Sequence, residues 1–123
     1  MGNQKTSLGA AGEKTAVQFL KRGGFKILAR NYTCPLGELD IVAMDENAIV
    51  FVEVKTREHG RDADPEANVD ARKRRKLTQV ARYWLGRHRE PDCAHRFDAV
   101  SVVLSPDREP QIRHVVDAFV PTY

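Results

Sequence analysis

Apolar positions along the chain repeat with two different periods. Leu39–Met44 and Ala48–Val54 are strand-length runs rich in Ile and Val. Asp45-Glu46-Asn47 between them is polar, so the pair predicts a β-hairpin. Phe25–Tyr32 predicts an earlier strand with Phe25, Ile27 and Ala29 on one face, leading into the hairpin through the turn Thr33–Gly37, which contains Pro35 and Gly37. Arg96–Leu104 and Gln111–Val116 predict two further strands separated by a turn over Ser105–Pro110. Asp117–Tyr123 reads as a short helical turn and a tail.

Two segments follow helical spacing instead. Ser7 is placed to cap a helix over Leu8–Arg22, which Gly23-Gly24 stops. Ala16, Val17 and Leu20 form its inner face, and Glu13 falls on the same stripe. An acid there can occupy the exposed end of the stripe, but Gly9 and Gly12 beside it point to a close approach of backbone or ligand. The second helix is expected over about Val69–His88, with Pro91 beyond its end. Leu77, Val80, Ala81, Trp84 and Leu85 form its buried stripe, and Lys73 lies one turn before Leu77. Trp84 reads as core rather than as a platform for bases. Arg72, Arg75, Lys76, Gln79 and Arg82 gather on the opposite side. Between hairpin and helix, His59–Pro65 loses all periodicity and reads as a surface loop, with His59 given no role. The expected order is α-β-β-β-α-β-β. The second helix serves as a crossover that can set the fourth strand parallel to a neighbour. The expected class is α/β, a small mixed sheet flanked by helices.

Composition narrows this only a little. With 123 residues, 41% hydrophobic and 30% charged, the chain suits one globular domain. No apolar run approaches the roughly 20 residues needed to span a bilayer, and Met1–Ser7 lacks the apolar stretch of a signal peptide. The expectation is a soluble cytoplasmic protein. Cys34 and Cys93 have no CxxC partner, so two ordinary thiols are expected rather than a zinc site or a disulfide. Charge is more informative. The net +3 conceals a segment, Val69–Arg89, that holds eight of the 20 Lys and Arg residues against a single acid, Asp70. A basic patch of this kind suits a polyanion, although basic helices also occur simply as solvated faces.

Strand alternation exposes the chemistry. Glu53 and Lys55 fall on one face with Ile49 and Phe51, and Asp40 on the face of Val42 and Met44. A charge among core positions is costly unless it is paired or holds a metal. An Asp and a Glu on adjacent strands can converge on one point and offer oxygen ligands suited to Mg²⁺ or Mn²⁺. Such an ion polarises a phosphoryl oxygen and lowers the pKa of a bound water. Lys55 reaches the same face, where its charge can orient the nucleophile or stabilise the transition state. Glu13 can complete the metal shell or hold a second ion, and Glu38, beside Gly37, is auxiliary. A self-satisfied Asp–Lys–Glu network is the structural alternative. Asp98 also interrupts a strand but has no ExK partner, and is read as structural.

The arrangement Asp40…Glu53-Val54-Lys55, preceded by helical Glu13, resembles the PD-(D/E)xK restriction-endonuclease-like nuclease superfamily. Archaeal Holliday-junction resolvases are similar in their order of helical Glu, strand Asp and ExK. The chain more closely resembles the YraN-like family of small bacterial proteins. The matching stretches are Gly9-x-x-Gly12-Glu13, Ala29-Arg30-Asn31-Tyr32, Gly37–Ala43 and Phe51–Arg57, with Lys73 and Arg96-Phe97-Asp98. Leu39 stands where the superfamily pattern has proline before the aspartate. The resemblance implies a restriction-endonuclease-like core in which Asp40 and Glu53 bind the metal, Lys55 is catalytic and Glu13 supports the site. It implies a metal-dependent nuclease acting on DNA, in branched or other non-duplex form, and by analogy with resolvases a homodimer. Arg57, Arg72, Lys73, Arg75 and Lys76 are the candidates for backbone contact, which gives affinity without sequence reading. The alternative is a catalytically silent nucleic-acid-binding module or partner protein with the same fold.

Overall fold

A computed structural model describes residues 6–60, 70–88 and 93–121. Seven elements follow one another: α1 (Ser7–Arg22), β1 (Lys26–Cys34), β2 (Gly37–Asp45), β3 (Ala48–Glu58), α2 (Ala71–Arg87), β4 (His95–Ser105) and β5 (Arg108–Phe119). The order is the expected one. The strands lie in a single five-stranded sheet in chain order. All neighbours are antiparallel except β3 and β4, which run parallel because α2 carries the chain from the end of one to the start of the other.

Each helix covers one face of the sheet. Ala16, Val17 and Leu20 of α1 pack on Ile41, Ala43, Val50, Val52, Val100 and Val102. Leu77, Val80, Ala81, Trp84 and Leu85 of α2 pack on Leu39, Val42, Ile49, Phe51, Phe97 and Phe119. From Ile41 to Ala43 and from Ile49 to Val52 successive residues serve opposite cores, as a period of two requires. Leu39 packs on the α2 side and Ile41 on the α1 side, so the alternation of β2 breaks at Asp40. Trp84 is core, meeting Phe51 edge-on at 6.0 Å between ring centroids. Two glycines set how closely the helices approach. A Cβ on Gly12 of α1 would lie 1.8 Å from the Thr56 Oγ1 of β3, so only glycine permits this contact. Gly37, at φ 144°, opens β2 directly under α2, where a Cβ would lie 3.0 Å from Val80.

Several local expectations are corrected. Thr6, not Ser7, caps α1, its Oγ1 accepting from Gly9 N–H at 3.0 Å. In β1 a register shift between Ile27 and Ala29 breaks the alternation. Phe25 and Ile27 therefore pack on the α1 side while Ala29 turns to the α2 side. The last strand continues through Asp117 to Phe119, so there is no helical turn there. Asp117 takes φ 55° and donates its N–H to Asp98 Oδ1 at 3.0 Å, and Phe119 then stacks on Phe97. Most of the expected loop His59–Pro65, the start of the second helix at Val69, Pro91 and the end of the tail lie outside the described residues. No helix among the described residues is long and apolar enough to cross a membrane.

Candidate active site at the parting of two strands

The hairpin strands β2 and β3 pair from Asp45–Ala48 as far as Ile41–Val52. Beyond that point β2 keeps pairing with β1 down to Gly37, and β3 keeps pairing with β4 up to Glu58. Asp40 and Glu53 are the next residues on each strand, so both stand where the strands part. The Asp40 side chain replaces the lost backbone partner, its Oδ2 accepting from Val54 N–H at 2.8 Å. This fixes the carboxylate against the strand that carries Glu53 and Lys55.

The Asp40 and Glu53 carboxyl groups lie beside one another on the sheet side of one cavity. Burial, then the neighbouring Asp40 carboxylate, pushes the Glu53 carboxyl up to about 7, opposed by Lys73. Lys73 reaches down from the first turn of α2 to form an ion pair with Glu53 Oε2. Asp70 caps that helix, accepting from Lys73 N–H at 2.9 Å. Between the strand ends and α2 lies a cavity of ≈ 720 Å³. Asp40, Glu53 and Lys55 line its sheet side, Arg72, Lys73 and Lys76 its helix side, and Glu38 and Asp70 also reach it. Two carboxylates thus sit at the base of a cleft with a cationic wall.

The remaining candidates fall elsewhere. Arg57 and Arg75 are exposed but do not border this cavity. Glu13 lines a smaller cavity of ≈ 270 Å³ on the α1 side, with Gly9 and Thr56, and only Val54 borders both. Glu13 is buried, not at the exposed end of its stripe. Its Oε1 accepts from Asn31 Nδ2 at 2.9 Å and from Arg30 Nε at 3.3 Å. Sequence reasoning gave those two residues no role. Asn31 adopts φ 51°, a left-handed conformation that asparagine tolerates, and the signal available in the sequence was that both residues fall in the matching stretch Ala29-Arg30-Asn31-Tyr32. Asp98 is structural, as expected: fully buried, it accepts from Arg96, His114 and the Asp117 backbone.

The oxygen pair fits a hard cation. Asp40 and Glu53 offer hard oxygen ligands to the same cavity, a place that a dication can take. Among the described residues no group of three His, Cys, Asp or Glu side chains is placed to hold a metal. Two carboxylates nevertheless suffice for Mg²⁺, which keeps several waters and binds substrate phosphates through the remaining positions.

Comparison with known sequences places the chain in a family. A protein from Geobacter metallireducens designated UPF0102 is 44% identical over 123 residues, the full length of both chains. One from Caldicellulosiruptor saccharolyticus is 45% identical over 105 residues, covering 85% of this chain and 89% of that protein. A relative from Nocardia farcinica is 41% identical over 115 residues, 94% of this chain and 91% of its own. The sequence profile described as "Uncharacterised protein family UPF0102" matches residues 12–102, a span that includes Glu13, Asp40, Glu53, Lys55 and Lys73. The chain belongs to the UPF0102 family, the YraN-like proteins.

Proposed function

We propose that this protein is a metal-dependent nuclease of the restriction-endonuclease-like superfamily that hydrolyses phosphodiester bonds in DNA. The observation that carries the reading is the parting of β2 and β3, which leaves Asp40 and Glu53 together in one cavity under a wall formed by Arg72, Lys73 and Lys76. A helix on each face and a parallel β3–β4 pair are in keeping with that superfamily core.

In this reading Asp40 and Glu53 hold Mg²⁺ or Mn²⁺. When bound, the ion polarises a phosphoryl oxygen and lowers the pKa of an adjacent water. Asp40 is held in place by Val54 N–H, so its carboxylate needs no reorganisation to bind. Lys55, exposed on the same strand face, places an ammonium beside the phosphoryl oxygens and stabilises the charge that develops there. Arg72 and Lys76 take neighbouring phosphates, and Arg57 and Arg75 extend the contact along the strand, giving salt-sensitive binding without base reading. Glu13 ties α1 to β1 through Arg30 and Asn31, away from the cleft. A substrate of branched or non-duplex form agrees with recognition by backbone charge and shape.

The second reading, a silent nucleic-acid-binding module, draws on the Lys73–Glu53 ion pair, which neutralises the site without any metal. Cleavage and binding measured side by side separate the two. Asp40→Asn is expected to lower DNA cleavage by at least 100-fold while leaving affinity within a few-fold. Undiminished cleavage by Asp40→Asn would sink the nuclease reading. Tight binding by a wild type that does not cut in Mg²⁺ or Mn²⁺ would favour the module.

A further inference from the structure

The start of α2 is arranged against ordinary helix electrostatics. Five consecutive cations, Arg72 to Lys76, occupy its first turns, and the first turn contains no acid. The unsatisfied N–H groups of a helix start already carry positive partial charge, so this arrangement costs stability unless anions face it. Asp70 supplies one as the cap. The other is Glu53, and of the cavity-lining α2 cations Lys73 is the one in contact with it. The Lys73 side chain is 43% exposed while that of Glu53 is 13% exposed, so the ammonium reaches inward from the mouth of the cavity to a carboxylate at its base. Arg72 and Lys76 flank it on the same wall.

An ammonium on Glu53 and a divalent cation on the same carboxylate pair cannot share the site without strong repulsion. We infer that Lys73 is an exchangeable counter-ion: it holds Glu53 while the site has no metal, leaves Glu53 when a cation binds, and then joins Arg72 and Lys76 on a substrate phosphate. The inference rests on the reading of Asp40 and Glu53 as a cation site and assigns Lys73 a positioning role within it. Cation loading thereby releases a phosphate-binding group, and by linkage phosphate binding favours cation loading. The protein would hold cation weakly alone and firmly with nucleic acid.

The test is Mn²⁺ affinity of the full chain, measured by calorimetry without nucleic acid, for wild type, Lys73→Met, Lys76→Met and Asp40→Asn. Lys73→Met keeps the aliphatic stem and removes the charge, and Lys76→Met controls for loss of any positive charge on this wall. The expected result is roughly tenfold tighter Mn²⁺ binding by Lys73→Met, little change in Lys76→Met and loss of binding in Asp40→Asn. A Lys73→Met affinity that equals that of Lys76→Met, or falls below wild type, overturns the exchange while leaving the cation site standing. If no variant shows Mn²⁺ binding that depends on Asp40, both the cation site and the exchange fail.

Discussion

Three acids interrupt apolar strand faces, and their partners decide what each one does. Asp98 has no solvent exposure, and both of its oxygens are engaged by Arg96, His114 and a backbone N–H. Arg96 is further tied to Asp45 at 3.1 Å, so the network locks the start of β4 to β5 and to the end of β2. Nothing is left to bind a ligand. Asp40 and Glu53 instead lie side by side at the edge of a cavity, with the Glu53 pKa raised by burial and by Asp40. That shift is measurable in the metal-free protein. Glu53 stands at about 7 in the folded chain against an ordinary 4.5, so the folded state holds its proton more firmly than the unfolded state. Its contribution to stability is complete below about 4.5 and is lost as pH rises through about 7. Glu53→Gln removes this dependence. Urea unfolding of both proteins across that window should show wild type losing stability relative to Glu53→Gln as pH rises. A difference that stays flat would contradict the raised Glu53 pKa.

At the scale of elements, the central hairpin, the buried stripe of α2 and the parallel crossover were legible because each rests on a long, uninterrupted period. The gathering of Asp40, Glu53 and Lys55 on the α2 side was legible from the same alternation, although the period of β2 breaks between Leu39 and Ile41. What stayed hidden depends on single irregularities. The shift between Ile27 and Ala29 reverses the facing of one strand, and no periodic template anticipates an added residue. Glu13 was legible as part of the α1 stripe, but its burial depends on Arg30 and Asn31 of β1, partners that helix periodicity cannot see. Thr6 and Ser7 are both good caps, and only the backbone separates them. The Gly12 contact belongs to this scale as well. Gly12→Ala forces a methyl into Thr56, so either α1 lifts from β3 or the strand shifts. The expected cost is roughly 1–3 kcal/mol, read as a lower urea midpoint with an unchanged slope. An unaltered midpoint would mean that the close approach is not required.

Across the whole molecule, charge and architecture converge on one place. The sheet supplies acids where β2 and β3 part, and α2, needed to carry the chain to a parallel strand, brings its basic first turns over them. Gly37 lets the helix lie close above the start of β2. A crossover that only completed the fold would have no use for three cations, Arg72, Lys73 and Lys76, facing two neighbouring carboxylates. A phosphodiester cleft requires both: oxygens for a cation and nitrogens for the flanking phosphates.

The most direct measurement is cleavage of a panel of duplex, single-stranded, flapped and four-way-junction DNA, with RNA alongside, in Mg²⁺ or Mn²⁺. Wild type would run beside Lys55→Ala, a change at an exposed side chain that leaves both carboxylates in place. The account predicts cation-dependent cutting of at least one DNA by wild type and a loss of 100-fold or more in Lys55→Ala. No cutting of any substrate by wild type, or equal cutting by Lys55→Ala, would contradict it.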